Sequence, residues 1–311
     1  MKLLARLKEW LFYGHVWIAL AAAGLSFWTL AIARSSDVYQ PWWPEGARKF
    51  ILPPLLTLFF ATLGVYTLHR FLSFRLSPKL PETKRYQLVK RHPNSSLLLG
   101  CISIAISGLL IFRYTDPLNP LFAIAFGLTA FYLIPIPGWK RLRDLPYLKV
   151  VFVATAWTIM TVHLPLLIAN ILSVGPCGGW IFDIHPDLVL LNISLTRFLF
   201  CLAVALLFDL RDVELDRSHG VKTFANSYPV TLKAFVPFLF LACATITAYT
   251  LVEMEHLIYP AWLMASAYLI GIPVAFMTYS RTDEDWYAIV VNGLLLLPPI
   301  AAAVAAVFFG H

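Results

Sequence analysis

Charge is what this sequence has least of. Only 13% of its 311 residues are Asp, Glu, Lys or Arg, about half of what the surface of a soluble domain needs. With 59% hydrophobic residues and a mean hydropathy of +0.74, this shortage excludes a soluble globular fold. Cysteine is also scarce: Cys101, Cys177, Cys201 and Cys243 fall in separate segments without CxxC or ligand spacing, so neither a disulfide framework nor a zinc site is expected. No Gly/Ser-rich or Pro-rich linker interrupts the chain, and residues 1–311 read as a single integral-membrane domain. Aspartate is missing from a long stretch, with none between Asp37 and Asp116.

What is present is a series of long apolar runs. At about 20 apolar residues per crossing, the runs near 11–33, 50–69, 95–113, 120–137, 148–171, 188–208, 230–251, 259–279 and 287–309 predict an all-α bundle of nine transmembrane helices. Barrel strands would alternate in polarity over much shorter segments. The basic residues that give the net charge of +7 lie between spans, which removes nucleic acid as the partner and makes the lipid bilayer the relevant surface. Nineteen of the 24 Lys and Arg residues fall on the N-terminal segment and every second connection, four on the opposite side, and Arg197 inside span six. The positive-inside rule then puts the N-terminus in the cytoplasm and the C-terminus outside, as expected of a multi-pass protein of the cell (inner) membrane.

The acidic residues gather at one place. "FDLRDVELDRSHGVKTF", residues 208–224, directly follows span six on the cytoplasmic side. Asp209, Asp212 and Asp216 are spaced i, i+3, i+7, so a continuing helix places them within an arc of about 60°. Glu214 and Arg211 fall on other faces, and His219-Gly220 reads as the helix stop. Two carboxylates about 6 Å apart repel by roughly 3 kcal/mol at an effective dielectric of 20, which calls for a counter-charge. Magnesium, which favours one or two carboxylates, several waters and phosphate oxygens, suits an open row of aspartates facing a diphosphate.

"DLRDVELDRSHGVKT" resembles the second aspartate-rich motif of the UbiA-type membrane prenyltransferase superfamily, D-x-R-D-x-E-x-D-R-x-x-G-x-x-T, matching at Asp209, Arg211, Asp212, Glu214, Asp216, Arg217, Gly220 and Thr223. The resemblance implies a nine-helix bundle with this motif at the cytoplasmic end of helix six. It further implies that Asp209, Asp212 and Asp216 are catalytic ligands of Mg2+ holding the diphosphate of a polyprenyl donor. Ionisation gives an allylic cation, which a small lipophilic or aromatic acceptor such as a quinone precursor captures. Lys140 and Arg141, in "WKRLRDLPYLK", resemble the family's basic loop and are expected on the diphosphate, as is Lys222. Cations fixed at a leaving group accelerate its departure, and an aromatic-lined cavity suits a carbocation.

The family's first motif, N-x-x-x-D-x-x-x-D at the end of helix two, is absent, and "VYTLHRFLSFR" stands there. Tyr66, His69, Arg70 and Ser73, at i, i+3, i+4, i+7, form a polar stripe in its place. His69 and Arg70 are candidates for holding the diphosphate directly, and Tyr66 and Asn292 for lining the cavity. Within the spans, His163, Asn170, Asn192 and Arg197 are polar, and no acidic partner for Arg197 can be named from the sequence. Pro165, Pro237, Pro273, Pro298 and Pro299 are candidate kinks. Two other functions fit the same residues: an intramembrane terpene cyclase, and a non-catalytic isoprenoid-binding member of the family.

Overall fold

The computed structural model describes residues 2–35, 48–76, 83–115, 119–133, 145–174, 188–218, 220–254 and 257–309. Among these residues there are helices and turns and no strand. The helices are α1 (Lys2–Phe12), α2 (Val16–Ser35), α3 (Arg48–Leu76), α4 (Lys84–Arg91), α5 (Pro93–Tyr114), α6 (Pro120–Leu133), α7 (Leu148–Thr158), α8 (Leu164–Val174), α9 (Leu188–Ser218), α10 (Phe224–Ser227), α11 (Pro229–Tyr249), α12 (Ile258–Leu269), α13 (Gly271–Thr278), α14 (Asn292–Leu294) and α15 (Leu297–Phe309).

Six segments are long and apolar enough to cross a membrane, and two bent pairs raise the number to eight. One pair joins α1 to α2 at 51°, and the other joins Trp286–Leu294 to α15 at 46°. Among the described residues, then, six to eight candidate spans stand beside the nine expected from the sequence. Of the expected span at 120–137, α6 accounts for the 14 residues Pro120–Leu133, and 134–137 lie outside the described residues.

Lipid supplies no hydrophobic drive between helices, so close approach depends on small residues. At the crossing of α3 and α5, a Cβ on Gly64 would meet the Ile104 side chain at 2.7 Å, and one on Gly100 the Leu68 side chain at 2.7 Å. Ser107 Oγ donates to Thr57 O across the same interface at 3.0 Å. α9 occupies the centre, packed between α7 and α11, with Phe200, Val204, Leu206 and Leu207 buried.

The prolines act unevenly. Pro237 lies inside continuous α11, whereas Pro165 follows a π-helical turn, Ile159–His163. Proline has no N–H to give to the carbonyl four residues back, and that carbonyl, Thr161 O, instead accepts from Thr29 Oγ1 of α2 at 2.8 Å. Further π turns, which the apolar runs do not signal, occur at Thr250–Met254 and Trp286–Val291.

Candidate active site

At 31 residues α9 is about 46 Å long, longer than the hydrocarbon layer, so its last turns leave the apolar interior. These turns carry Asp209, Asp212 and Asp216. The helix ends at Ser218, and Gly220 takes φ +68°, the left-handed turn that a residue without Cβ enters freely, while Val221 N donates to Asp216 O at 2.9 Å. Thr223 then caps α10 through a reciprocal bond pair with Asn226.

Lys149, on the second residue of α7, meets two of the aspartates. Its Nζ lies 2.9 Å from Asp209 Oδ1 and 3.4 Å from Asp216 Oδ2. One ammonium can reach both because the two carboxylates share a face, and Asp209 is only 2% exposed. The entry to α7 is tied down by Tyr147, whose N donates to Lys222 O at 3.1 Å and whose hydroxyl bonds Ser227 Oγ at 3.2 Å. The Lys222 side chain itself is exposed.

Asp212 is held differently. Arg211 folds back to it, with Nε donating to Oδ1 at 2.7 Å and Nη2 to Oδ2 at 3.0 Å. Arg211 thus departs from the sequence expectation that it faces elsewhere, and Glu214 is exposed. The Arg211 guanidinium also stacks on Phe208 and Tyr287, 5.2 Å and 5.6 Å from their ring centroids.

α3 carries Tyr66 and Arg70, one turn apart. Arg70 lies over the Tyr86 ring at 4.5 Å, and its Nε is buried without a hydrogen-bond partner. His15 stands at the bend between α1 and α2 in a left-handed conformation, φ 68°, that a histidine adopts only under constraint from its surroundings. Its ring is buried against Tyr66, centroids 5.8 Å apart, and its Nε2 has no hydrogen-bond partner.

Residues the sequence reading missed complete the site. Arg85 enters from α4, whose N-terminus is clasped by Glu284: Lys84 N donates to Glu284 Oε2 at 2.7 Å. Arg85 Nε stays 4.0 Å from Glu284 Oε1, beyond hydrogen-bond reach, and is buried without a partner. Burial, then the Arg211 and Arg70 guanidiniums, push Arg85 down to about 10, against the pull of Glu284 and Asp212. It stays charged at neutral pH. Arg85 and Lys149 read in the sequence as topogenic cations, and nothing in their local pattern marks them as part of a site.

The clasp continues at Asp285, which accepts from Lys84 Nζ and from the Tyr13 hydroxyl. These two bonds hold its carboxyl below the usual carboxylate range. A depressed folded value means that the contribution is present above the ordinary value of about 3.9 and is lost as pH falls through the folded one. Both partners of the Lys84–Asp285 pair are about half exposed, so the pair is worth less than about 1 kcal/mol. The melting temperature of Asp285→Asn in detergent should fall slightly below that of the wild type at neutral pH and converge with it in acid or high salt.

Other expected site residues are distributed as follows. His69 shares the α3 stripe with Arg70 and is one of the charges felt at His15. Asn292 is buried, and its amide donates to Ala288 O one turn back at 3.3 Å. Lys140 and Arg141 lie outside the described residues. Among the described residues no three His, Cys, Asp or Glu side chains are grouped to hold a metal ion. The reason is visible in the ion pairs: Lys149 lies between Asp209 and Asp216, and Arg211 takes both oxygens of Asp212. As folded, every aspartate of the row already contacts one of the chain's own cations, and the row does not fit a protein-held magnesium ion.

These features define a polytopic helical membrane protein with a cluster of charged side chains around the end of α9. No protein-family model and no curated protein sequence matches the chain. Solved structures do. The apo structure of a UbiA homologue from Aeropyrum pernix K1 superposes with a TM-score of 0.63 at 13% identity, covering 92% of this chain and 96% of that one. A structure from work on digeranylgeranylglyceryl phosphate synthase in membranes superposes at 0.55 and 13% identity, covering 97% and 99%. The chain therefore has the UbiA fold over nearly its whole length.

Proposed function

We propose that the chain is a membrane prenyltransferase, moving an isoprenoid chain from a polyprenyl diphosphate to a small lipophilic or aromatic acceptor such as a quinone precursor. The observation that carries this reading is the interleaving of Asp209, Asp212 and Asp216 with Lys149, Arg211, Arg85 and Arg70 at the rim of an apolar bundle. A diphosphate headgroup belongs in such a rim, and its hydrocarbon tail in the bundle. On the charge distribution of the loops, this rim faces the cytoplasm of a cell (inner) membrane protein.

The reaction breaks the allylic C–O bond, and the electron pair leaves with the diphosphate. Guanidiniums already fixed beside the departing oxygens stabilise that charge without reorganising. The allylic cation left behind is stabilised by aromatic faces within the bundle, until an electron pair of the acceptor forms the new bond and a proton is lost. Magnesium belongs to the sequence expectation; because the described carboxylates do not fit it, no step is assigned to it.

The test is purified protein with labelled prenyl diphosphates, with and without acceptor, followed by product identification. A prenylated acceptor is expected. A cyclised hydrocarbon formed without acceptor would assign the fold to terpene cyclisation instead, and recovery of intact donor in both arms would leave a non-catalytic isoprenoid binder.

A further inference from the structure

The charged side chains of α9 and those of α3 and α4 are unequally supplied with partners. On α9 every aspartate of the row has a cation in contact: Lys149 for Asp209 and Asp216, Arg211 for Asp212. On α3 and α4, Arg70 has a tyrosine ring and no ion pair among the described residues, and Arg85 Nε sits 4.0 Å from Glu284 Oε1. The side-chain nitrogens Arg70 Nε, Arg85 Nε and His15 Nε2 are buried without hydrogen-bond partners. They belong to one cluster: the His15 ring packs on Tyr66, one turn before Arg70 on α3, and the Arg70 guanidinium lies over Tyr86, the neighbour of Arg85 on α4.

Burying a guanidinium without an acceptor is unfavourable, and placing two beside each other adds repulsion. Such an arrangement persists when the surrounding structure enforces it, and here three separate elements do. Arg85 is fixed by the clasp of Glu284 on the α4 N-terminus, Arg70 by its stacking on Tyr86, and His15 by a left-handed backbone at the α1–α2 bend. Strain and unsatisfied donors converging on one spot are resolved together by one ligand, an anion with several oxygens.

We propose that Arg70, Arg85 and His15 form a phosphate subsite that takes one phosphoryl group of the diphosphate directly, with no metal ion between protein and oxygen. This rests on the reading of the substrate as an organic diphosphate. It explains how the rim works without aspartates on α3: fixed guanidiniums replace a carboxylate-held cation there. Guanidinium forks suit phosphate oxygens in pairs, and the His15 ring can donate from Nε2, which is buried without a partner.

The experiment is calorimetric titration of the full-length purified protein with inorganic pyrophosphate in EDTA, set beside inorganic phosphate. Pyrophosphate should bind without divalent metal and more tightly than phosphate. Arg85→Gln and Arg70→Gln should each weaken it at least about tenfold. Arg85→Lys should fall between, keeping the charge and losing the fork. His15→Asn, a residue that tolerates the left-handed backbone, should weaken it by a smaller factor. Lys233→Gln, in an exposed position on α11, should bind as the wild type does. Melting temperatures identify any variant that fails to fold, in which case the remaining variants decide. Binding that appears only on adding magnesium, or variants that all bind like the wild type, overturns the subsite. Prenyl transfer with metal-only binding overturns the subsite and leaves the function; metal-free binding without turnover does the reverse.

Discussion

Lys149→Met is expected to destabilise the protein by about 3–5 kcal/mol and to abolish prenyl transfer. The side chain is replaced by one of similar length, so packing changes little, but Asp209 and Asp216 lose the ammonium that lies 2.9 Å and 3.4 Å from them. Asp209 is buried, and removing one partner of a buried ion pair leaves a charge that neither water nor protein compensates. Two readouts separate this account from a general packing defect. The double variant Lys149→Met with Asp209→Asn should recover most of the lost melting temperature, because the uncompensated charge is gone. Adding millimolar magnesium should stabilise Lys149→Met and leave the wild type unmoved, since only the variant offers two vacant carboxylates on one face. If magnesium stabilises neither protein, the aspartate row is an ion-pair network rather than a latent metal site. If it stabilises both equally, Lys149 yields to the metal in the native protein.

This competition marks the boundary of what could be read from the sequence. The row Asp209, Asp212, Asp216 was legible because helical spacing is a local property, and so was the stop at Gly220. The counter-charges were not. Lys149 reaches the row from α7, Arg85 reaches the rim from α4, and Glu284, which positions Arg85, is almost two hundred residues further along the chain. Each is a long-range pairing with no local pattern. Repulsion within the row correctly implied a counter-charge, but a protein ammonium and a metal ion satisfy that requirement equally well on paper. Most spans were legible because desolvating backbone demands about 20 apolar residues in a row. The π turns, and the bends at Gly14–His15 and after Leu294, were not, because they redirect a helix without changing its hydrophobicity. Proline was an uneven guide: Pro165 marks a π turn, whereas Pro237 sits in unbroken helix.

Arg197→Ala is expected to cost at least about 3 kcal/mol, and Arg197→Met about 1.5 kcal/mol or less. Arg197 is fully buried in the middle of α9, and no carboxylate among the described residues pairs with it. Dipoles satisfy its two terminal nitrogens instead: Nη1 donates to Thr161 Oγ1 at 2.6 Å, Nη2 to Leu25 O at 3.1 Å and Thr29 Oγ1 at 3.3 Å, and the Trp28 ring lies 4.9 Å away, while Nε is buried without a hydrogen-bond partner among the described residues. Pro165 contributes to this arrangement. By withholding an N–H from Thr161 O it leaves that carbonyl to Thr29, and the Thr29–Thr161 contact brings together the hydroxyls that Arg197 needs. On this account the side chain joins α2, the π turn and α9 mainly by volume and hydrogen bonds, while its charge is tolerated rather than required. Alanine removes the volume and opens a cavity beside Trp28. Methionine fills most of it and relieves the buried charge, leaving hydroxyls that already donate to backbone carbonyls of their own helices. Arg197→Met should therefore retain turnover close to that of the wild type, and melting curves with a single prenyl-transfer assay check both halves. A methionine variant as unstable as alanine would mean that the positive charge itself holds the helices together. A stable methionine variant without activity would move Arg197 from the frame of the bundle into its chemistry.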